Sequence, residues 1–215
     1  MYLEDHYPFE WKPLKFSNQA LEPYLDERTL YFHHQHYKNY VEKLNDTLRN
    51  YPELHNFNLE ELISNVALMP EDIKDDIWVN AGGVYNHQLY FDTITPNPKP
   101  LALSKLKLAL EQNFETISEF IKTFKRKVLN FIGVGYIWLS SDFVGNLKIV
   151  STTIQDTTIH DNLFPLLCID LWEHSYYLKY ANDIEAYFDA WSNLIDWEKV
   201  SNNYTECLKY INDIN

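Results

Sequence analysis

The sequence predicts an α+β fold: an N-terminal helical hairpin followed by a C-terminal α/β domain with a small three-stranded antiparallel sheet. Three observations carry that expectation. Apolar residues recur at helical spacing through residues 30–44 and again through 73–89. Thr95-Pro96-Asn97-Pro98-Lys99-Pro100 is a linker, because alternating prolines cannot continue a helix and favour an extended spacer. Only beyond that linker do short β-branched and aromatic runs appear, bounded by turn formers. The boundary is placed in the linker, giving an extended segment and α-hairpin domain over residues 1–95 and an α/β domain over residues 96–215.

In chain order, residues 1–26 are turn-rich, with Pro8, Pro13 and Pro23, and are expected to wrap the surface. Asp26-Glu27-Arg28-Thr29 starts a helix, with Asp26 as N-cap and an acid in the first turn. Leu30, His33, Tyr37, Tyr40, Val41 and Leu44 then follow on helical spacing, to about residue 50. Residues 59–69 form a short helical stretch ending at Pro70, and residues 71–93 a longer one carrying Ile73, Ile77, Ala81, Tyr85 and Leu89. Gly82-Gly83 interrupts it; each glycine costs about 1 kcal/mol relative to alanine in a helix, so something is expected to approach the backbone there. Residues 101–128 read as two amphipathic helices. Residues 136–140 and 147–152 read as a hairpin around Gly145-Asn146, and the apolar run 163–168 supplies the third strand. The rest, from Glu173 to about residue 211, is helical with breaks near Asn182 and Ser192.

Composition narrows the function classes. The 215 residues suffice for a sizeable core, and 46% hydrophobic content excludes a disordered chain. Sixteen tyrosines predict an interior rich in aromatic packing. A net charge of −13 without a basic stripe argues against nucleic acid and against an anionic membrane surface. No apolar run approaches the about 18 residues of a membrane span. The first ten residues lack the pattern of a signal peptide, and two cysteines without a C-x-x-C pair fit a reducing compartment, so the expected location is the cytoplasm.

The chemistry gathers around Asp170-Leu171-Trp172-Glu173-His174. Asp170 closes a buried strand, where a carboxylate is costly unless something positive holds it. His174 follows four residues later, in the expected first turn of a helix. Asp with neutral His suits Mn, Fe or Zn better than Ca or Mg; the plainer alternative is an Asp N-cap beside a surface histidine. Two further histidine groups lie in the first half: His33, His34 and His36, and His87 just after the paired glycines. His33, His36 and Tyr40 share a helix face at spacings of three and four. Histidines from two helices together with Asp170 and His174 make a donor set that binds a redox metal and leaves room for solvent.

These pieces, in their order and spacing, resemble the iron/manganese superoxide dismutases over nearly the whole chain. The resemblance rests on Ala20-Leu21-Glu22-Pro23-Tyr24, the His33 to Tyr40 cluster, Asn80-Ala81-Gly82-Gly83 with Asn86-His87, Gly135-Tyr136-Ile137-Trp138-Leu139, Gln155-Asp156, and the stretch Asp170-Leu171-Trp172-Glu173-His174-Ser175-Tyr176-Tyr177. It implies a superoxide dismutase with one manganese, iron being the other choice, held by His33, His87, Asp170 and His174 and by solvent as fifth ligand. It implies Tyr40 and His36 as gateway residues, Tyr40 bonding towards a glutamine that contacts the solvent ligand. Gln155 supplies that glutamine from the loop after the hairpin, as in manganese-type members; the position used by iron-type members is Gly83. Trp138 and Trp172 belong to the apolar wall. The resemblance further implies a homodimer in which Glu173 pairs with His174 of the partner subunit and Tyr177 reaches His36 of the partner subunit.

The chain departs from the family pattern in three places. His33 and His36 are three apart where the family has four, Tyr136 stands where a tryptophan is usual, and Ala181-Asn182-Asp183-Ile184-Glu185 lacks the arginines usual after Tyr180. One residue is missing between ligand and gateway. At about 100° per residue, His33 stays on the Tyr40 face and His34 turns away, so His33 is the expected ligand. The arginine loss motivates a second reading, a metal-binding or structural interaction protein of the same fold without significant dismutase activity. A di-iron carboxylate protein is disfavoured, because no histidine has a Glu three residues before it.

Overall fold

The structure, a computed structural model, describes residues 5–214. Residues 1–4 of the expected N-terminal wrap and Asn215 lie outside the described residues.

Helix α1 (Glu27–Leu48) begins where Asp26 accepts hydrogen bonds from the Arg28 and Thr29 amides. Its buried stripe is Leu30, His33, His34, Tyr37, Val41, Leu44 and Leu48, so the face that carries His33 is also the packing face. Helix α2 (Leu59–Ser64) starts with a reciprocal cap, Asn58 accepting from the Glu61 amide while Glu61 accepts from the Asn58 amide. Helix α3 (Lys74–Asp92) is buried without a break from Asn80 to Phe91. It runs antiparallel to α1, since His34 meets Phe91 at one end and Tyr40 meets His87 further along. The paired glycines do not interrupt α3; they admit neighbours. A Cβ on Gly82 would sit 2.1 Å from the Gln155 carbonyl oxygen, and one on Gly83 would sit 2.5 Å from the Tyr40 ring.

Past residues 95–100 come α4 (Lys105–Phe114) and α5 (Ile117–Leu129), capped by Ser104 and Thr116. The sheet follows: β1 (Gly135–Ser141), β2 (Leu147–Thr153) and β3 (Phe164–Asp170), all antiparallel in the order β2-β1-β3. Its β1–β3 register pairs Tyr136 with Asp170. The register slips between Leu139 and Ser140, leaving Leu166 as the extra residue of a bulge; buried Asn203 donates to its carbonyl at 3.0 Å. Pro165 is tolerated because β3 is an edge strand. Helices α6 (Tyr177–Tyr180), α7 (Ile184–Ser192) and α8 (Trp197–Ile214) complete the chain. The segment carrying His174 is a single 3₁₀ turn, Glu173–Ser175, rather than the opening of an α-helix. The two halves are stitched together where the Thr95 amide donates to Leu194 and the Asp196 amide to Thr93. Aromatic packing fills the second core, with Phe124 stacked on Phe188 and Trp191.

Candidate metal centre

Four side chains from four elements converge. The ligand atoms of His33 on α1, His87 on α3, Asp170 at the end of β3 and His174 on the 3₁₀ turn all lie within 4.8 Å of one another. From Asp170 Oδ2, the Nε2 atoms of His33, His174 and His87 stand at 3.1, 3.6 and 3.9 Å. Asp170 reaches this point because β3 ends there, and the chain then turns so that the Trp172 amide donates to Oδ1 at 2.7 Å. Oδ2 is thereby left for the imidazoles. The Asp170 backbone carbonyl is held separately by the Ser175 and Tyr187 hydroxyls at 2.8 and 2.9 Å.

The tautomers follow from the outer partners. His87 Nδ1 donates to the Gly83 carbonyl at 2.7 Å, so its Nε2 carries a lone pair into the site, where it has no hydrogen-bond partner. His34, next to the first ligand candidate, turns away and donates from Nε2 to the Lys12 carbonyl at 3.0 Å. The structure thus brings His33 into the cluster and leaves His34 outside it, on an α1 that is regular throughout.

Protonation states suit a cation. Burial pushes His33 down to about 4 and His87 well below its ordinary value, so both imidazoles are neutral near pH 7. Burial alone would raise Asp170, but the nearby His174 imidazole and His33, which is within hydrogen-bond distance, hold it below the usual carboxylate range. The result is one fully buried carboxylate facing the neutral imidazoles of His33 and His87, with buried ring nitrogens of His87 and His174 left without a hydrogen-bond partner. Such a set is expensive unless a cation occupies its centre. Three nitrogens and one oxygen fit manganese or iron, and the fit is therefore good.

Around the ligands, Gln155 is buried and held on three sides. It accepts at Oε1 from the Tyr136 hydroxyl at 3.0 Å and from Asn86 Nδ2 at 3.2 Å, and donates from Nε2 to the Tyr40 hydroxyl at 3.1 Å. His36 stacks on His174 with ring centroids 4.4 Å apart. Trp172 stacks on His174 at 5.8 Å, and buried Trp138 packs on Tyr136 at 5.5 Å. Glu173 and Tyr177 stand on the outer side of the turn; Tyr177 is 51% exposed and touches no ligand candidate. Asn86 and Tyr187 were not among the sequence-predicted candidates. A buried amide beside His87 was the available signal for Asn86; Tyr187 is seventeen residues past Asp170 and gave none.

Comparison with known proteins agrees with this geometry. Residues 8–95 match the family model "Iron/manganese superoxide dismutases, alpha-hairpin domain", and residues 102–203 match "Iron/manganese superoxide dismutases, C-terminal domain". The chain is 36% identical to Superoxide dismutase [Mn] of Listeria monocytogenes, covering 91% of this chain and 97% of that protein. It is 35% identical to Superoxide dismutase [Mn] of Thermus thermophilus, with 89% and 95% covered, and 35% identical to Superoxide dismutase [Mn] 1 of Leptolyngbya boryana, with 93% and 82% covered.

Proposed function

The chain belongs to the iron/manganese superoxide dismutase family, and we propose that His33, His87, Asp170 and His174 hold its redox metal. It is a superoxide dismutase, an oxidoreductase of the Mn/Fe type. The observation that carries the ligand assignment is the convergence of three imidazoles, those of His33 and His87 neutral, on an ionised, fully buried carboxylate. When bound, the metal supplies one-electron chemistry between its 2+ and 3+ states, taking an electron from one superoxide to give dioxygen and giving it to the next, which with two protons becomes hydrogen peroxide.

The chain's own residues set the conditions for that exchange. Gly83 fixes the His87 tautomer and Trp172 directs Asp170, so the donors are aimed before any ion arrives. Tyr40, half-buried at the mouth, and Gln155 behind it form a hydrogen-bonded pair leading inwards. That pair is our route for the two protons peroxide needs. His36 covers one edge of His174 and limits access there. Trp138, Tyr90 and Phe91 exclude water from the inner side.

Manganese is the metal we propose. The support is the placement of the glutamine: Gln155 reaches in from the loop, and the Gly83 position is filled by the Tyr40 ring, leaving no room for a side chain. Reconstitution with manganese and with iron separately, followed by elemental analysis and a dismutation assay, tests both function and metal. Activity with iron alone would overturn manganese, and a metal-loaded but inactive chain would favour the interaction protein of the same fold.

We also propose a homodimer. Tyr31 and Phe32 on α1 and Tyr177 and Leu178 on α6 are large apolar side chains exposed by 44–54% beside the site. A second copy covering them is the expected finding of sedimentation equilibrium, and a monomer at all concentrations would refute it. No described helix is long and apolar enough to cross a membrane. Two buried free cysteines fit the cytoplasmic location that we propose.

A further inference from the structure

His160 lies outside the metal centre, in the loop that follows Gln155, and its two ring nitrogens face two acceptors. Nδ1 meets the Asp156 carboxylate, and Nε2 lies 3.0 Å from the backbone carbonyl oxygen of Ile63 on α2. Neither oxygen can donate while Asp156 is ionised. A neutral imidazole carries one N–H and could satisfy only one of them. Both contacts are hydrogen bonds only if both nitrogens are protonated.

What this bridge holds is the segment that carries Gln155. Ile154, immediately before it, has φ +56°, a left-handed conformation that is a genuine outlier for a β-branched residue. Such a conformation persists only where the surroundings over-determine it. Several contacts do so here. The Gln155 carbonyl presses on the Gly82 backbone and accepts from Asn86; the Asp156 carbonyl accepts from Thr152 at 2.8 Å; the Asp156 side chain accepts from the amide of its neighbour Thr157 and lies near the Trp78 indole on α3. None of these contacts reaches α2; the His160 bond to Ile63 does.

We propose that His160 is a positioning residue, a doubly protonated imidazolium that donates to Asp156 at one nitrogen and to Ile63 at the other, and so locks the loop that presents Gln155 to Tyr40. The charged groups acting on it are Asp156 and Asp161 from its own loop, both acids. α3 faces Asp156 with the neutral Trp78 indole. α2 faces it with the Ile63 carbonyl and also bears Glu60, which lines a neighbouring cleft with Ile159 and is pushed up to about 7 by burial. The Asp156 hydrogen bond raises His160 above its ordinary value against partial burial; Asp156 is lowered by His160 despite its own burial.

The sign follows. A raised histidine contributes stability fully present below its unfolded value of 6.5 and lost as pH rises through its folded value. A lowered aspartate contributes stability present above 3.8 and lost as pH falls through its folded value. The lock is therefore complete between those two unfolded values and opens on the alkaline side.

The test is hydrogen exchange of residues 154–163 in the metal-loaded wild-type chain between about pH 5 and about pH 9, corrected for the intrinsic pH dependence of exchange. Protection should hold through pH 6.5 and then fall, while β1 stays protected. His160→Gln should lower the loop's protection by roughly tenfold at the acid end, the order expected for losing hydrogen bonds to a charged group, and flatten the profile. Because Glu60 is unchanged in that variant, its titration cancels in the comparison. A wild-type loop whose protection is flat across the range, or already falling below 6.5, overturns the proposal, and this arm needs no variant that folds. The kinetic arm rests on the dismutase reading: kcat of the wild type should exceed that of His160→Gln by roughly 2- to 5-fold at the acid end, below the about 10- to 100-fold of a group beside the metal, and the two should converge at high pH. A ratio independent of pH would assign His160 a merely structural role. The exchange arm reads the loop without superoxide, so its failure is separable from a failure of the dismutase assignment.

Discussion

The inner centre and its mouth are built on different terms. Inside, His33, His87 and Asp170 are at most 1% exposed, each sits on or at the end of a regular element, and His87 and Asp170 are aimed by the Gly83 carbonyl and the Trp172 amide. At the mouth, Tyr177 and Leu178 are half exposed on a four-residue helix, Tyr31 and Phe32 lie open on α1, and Glu173 stands on the outer side of a single turn. The inner set is finished by one copy of the chain. The outer set has its side chains in place and its contacts missing, which is how a surface reads when a second copy is to cover it. Metal holding is thus set within one chain's core, whereas the mouth is where the proposed second copy would act.

The sharpest way to break that contrast is to remove an inner ligand. His33→Ala should abolish metal retention, a loss beyond the about 100-fold that outer partners cost, while His34→Ala, whose imidazole only holds the Lys12 carbonyl, should retain metal; elemental analysis after dialysis decides, and collapse in His34→Ala alone would move the ligand by one position. Next in size, Gln155→Ala should keep the metal and lower kcat by roughly 10- to 100-fold, because it strips Tyr40, Tyr136 and Asn86 of their common partner. Gly83→Ala probes the contact that joins the two regions: its Cβ would stand 2.5 Å from the Tyr40 ring, and overpacking of that kind costs about 1–3 kcal/mol, to be read from denaturant midpoints. The smallest effect belongs to the mouth. The segment after Tyr180 carries no arginine, Lys179 is engaged by Glu22, and Lys38 pairs with Glu42. With Lys179 and Lys38 already paired and Lys43 the remaining cation acting on His36, raising salt should change kcat/KM by less than about twofold; a steep fall would reveal a stronger source of steering.

Much of this was legible in the residues. Period-3.6 spacing placed α1 and α3, the Asp26 cap placed the start of α1, and the cost of adjacent glycines pointed to a close approach that the Gln155 carbonyl and the Tyr40 ring supply. The mid-helix break expected from the glycines did not occur, because burial on every side of residues 80–91 outweighs their low propensity. The strand before Asp170 was visible as an apolar run, and so was its end at Asp170; its pairing there with Tyr136, a partner thirty-four positions away, was not. The His174 turn was read as α-helical because capping patterns do not distinguish a 3₁₀ turn from a longer helix. The grip of Tyr187 on the Asp170 carbonyl and the span of His160 to Ile63 left no mark in local sequence, since each joins segments that only the folded topology brings together.

The bulge at Leu166 has a consequence of its own. An edge strand with free amides and carbonyls is a template on which another chain can add, and β3 is such an edge. Here Pro165 offers no amide, the extra residue breaks the flat spacing a foreign strand would need, and Asn203 from α8 occupies the carbonyl that the bulge sets free. The β3 rim of the sheet is thereby a poor template for a foreign strand, whatever the occupancy of the metal centre beside it.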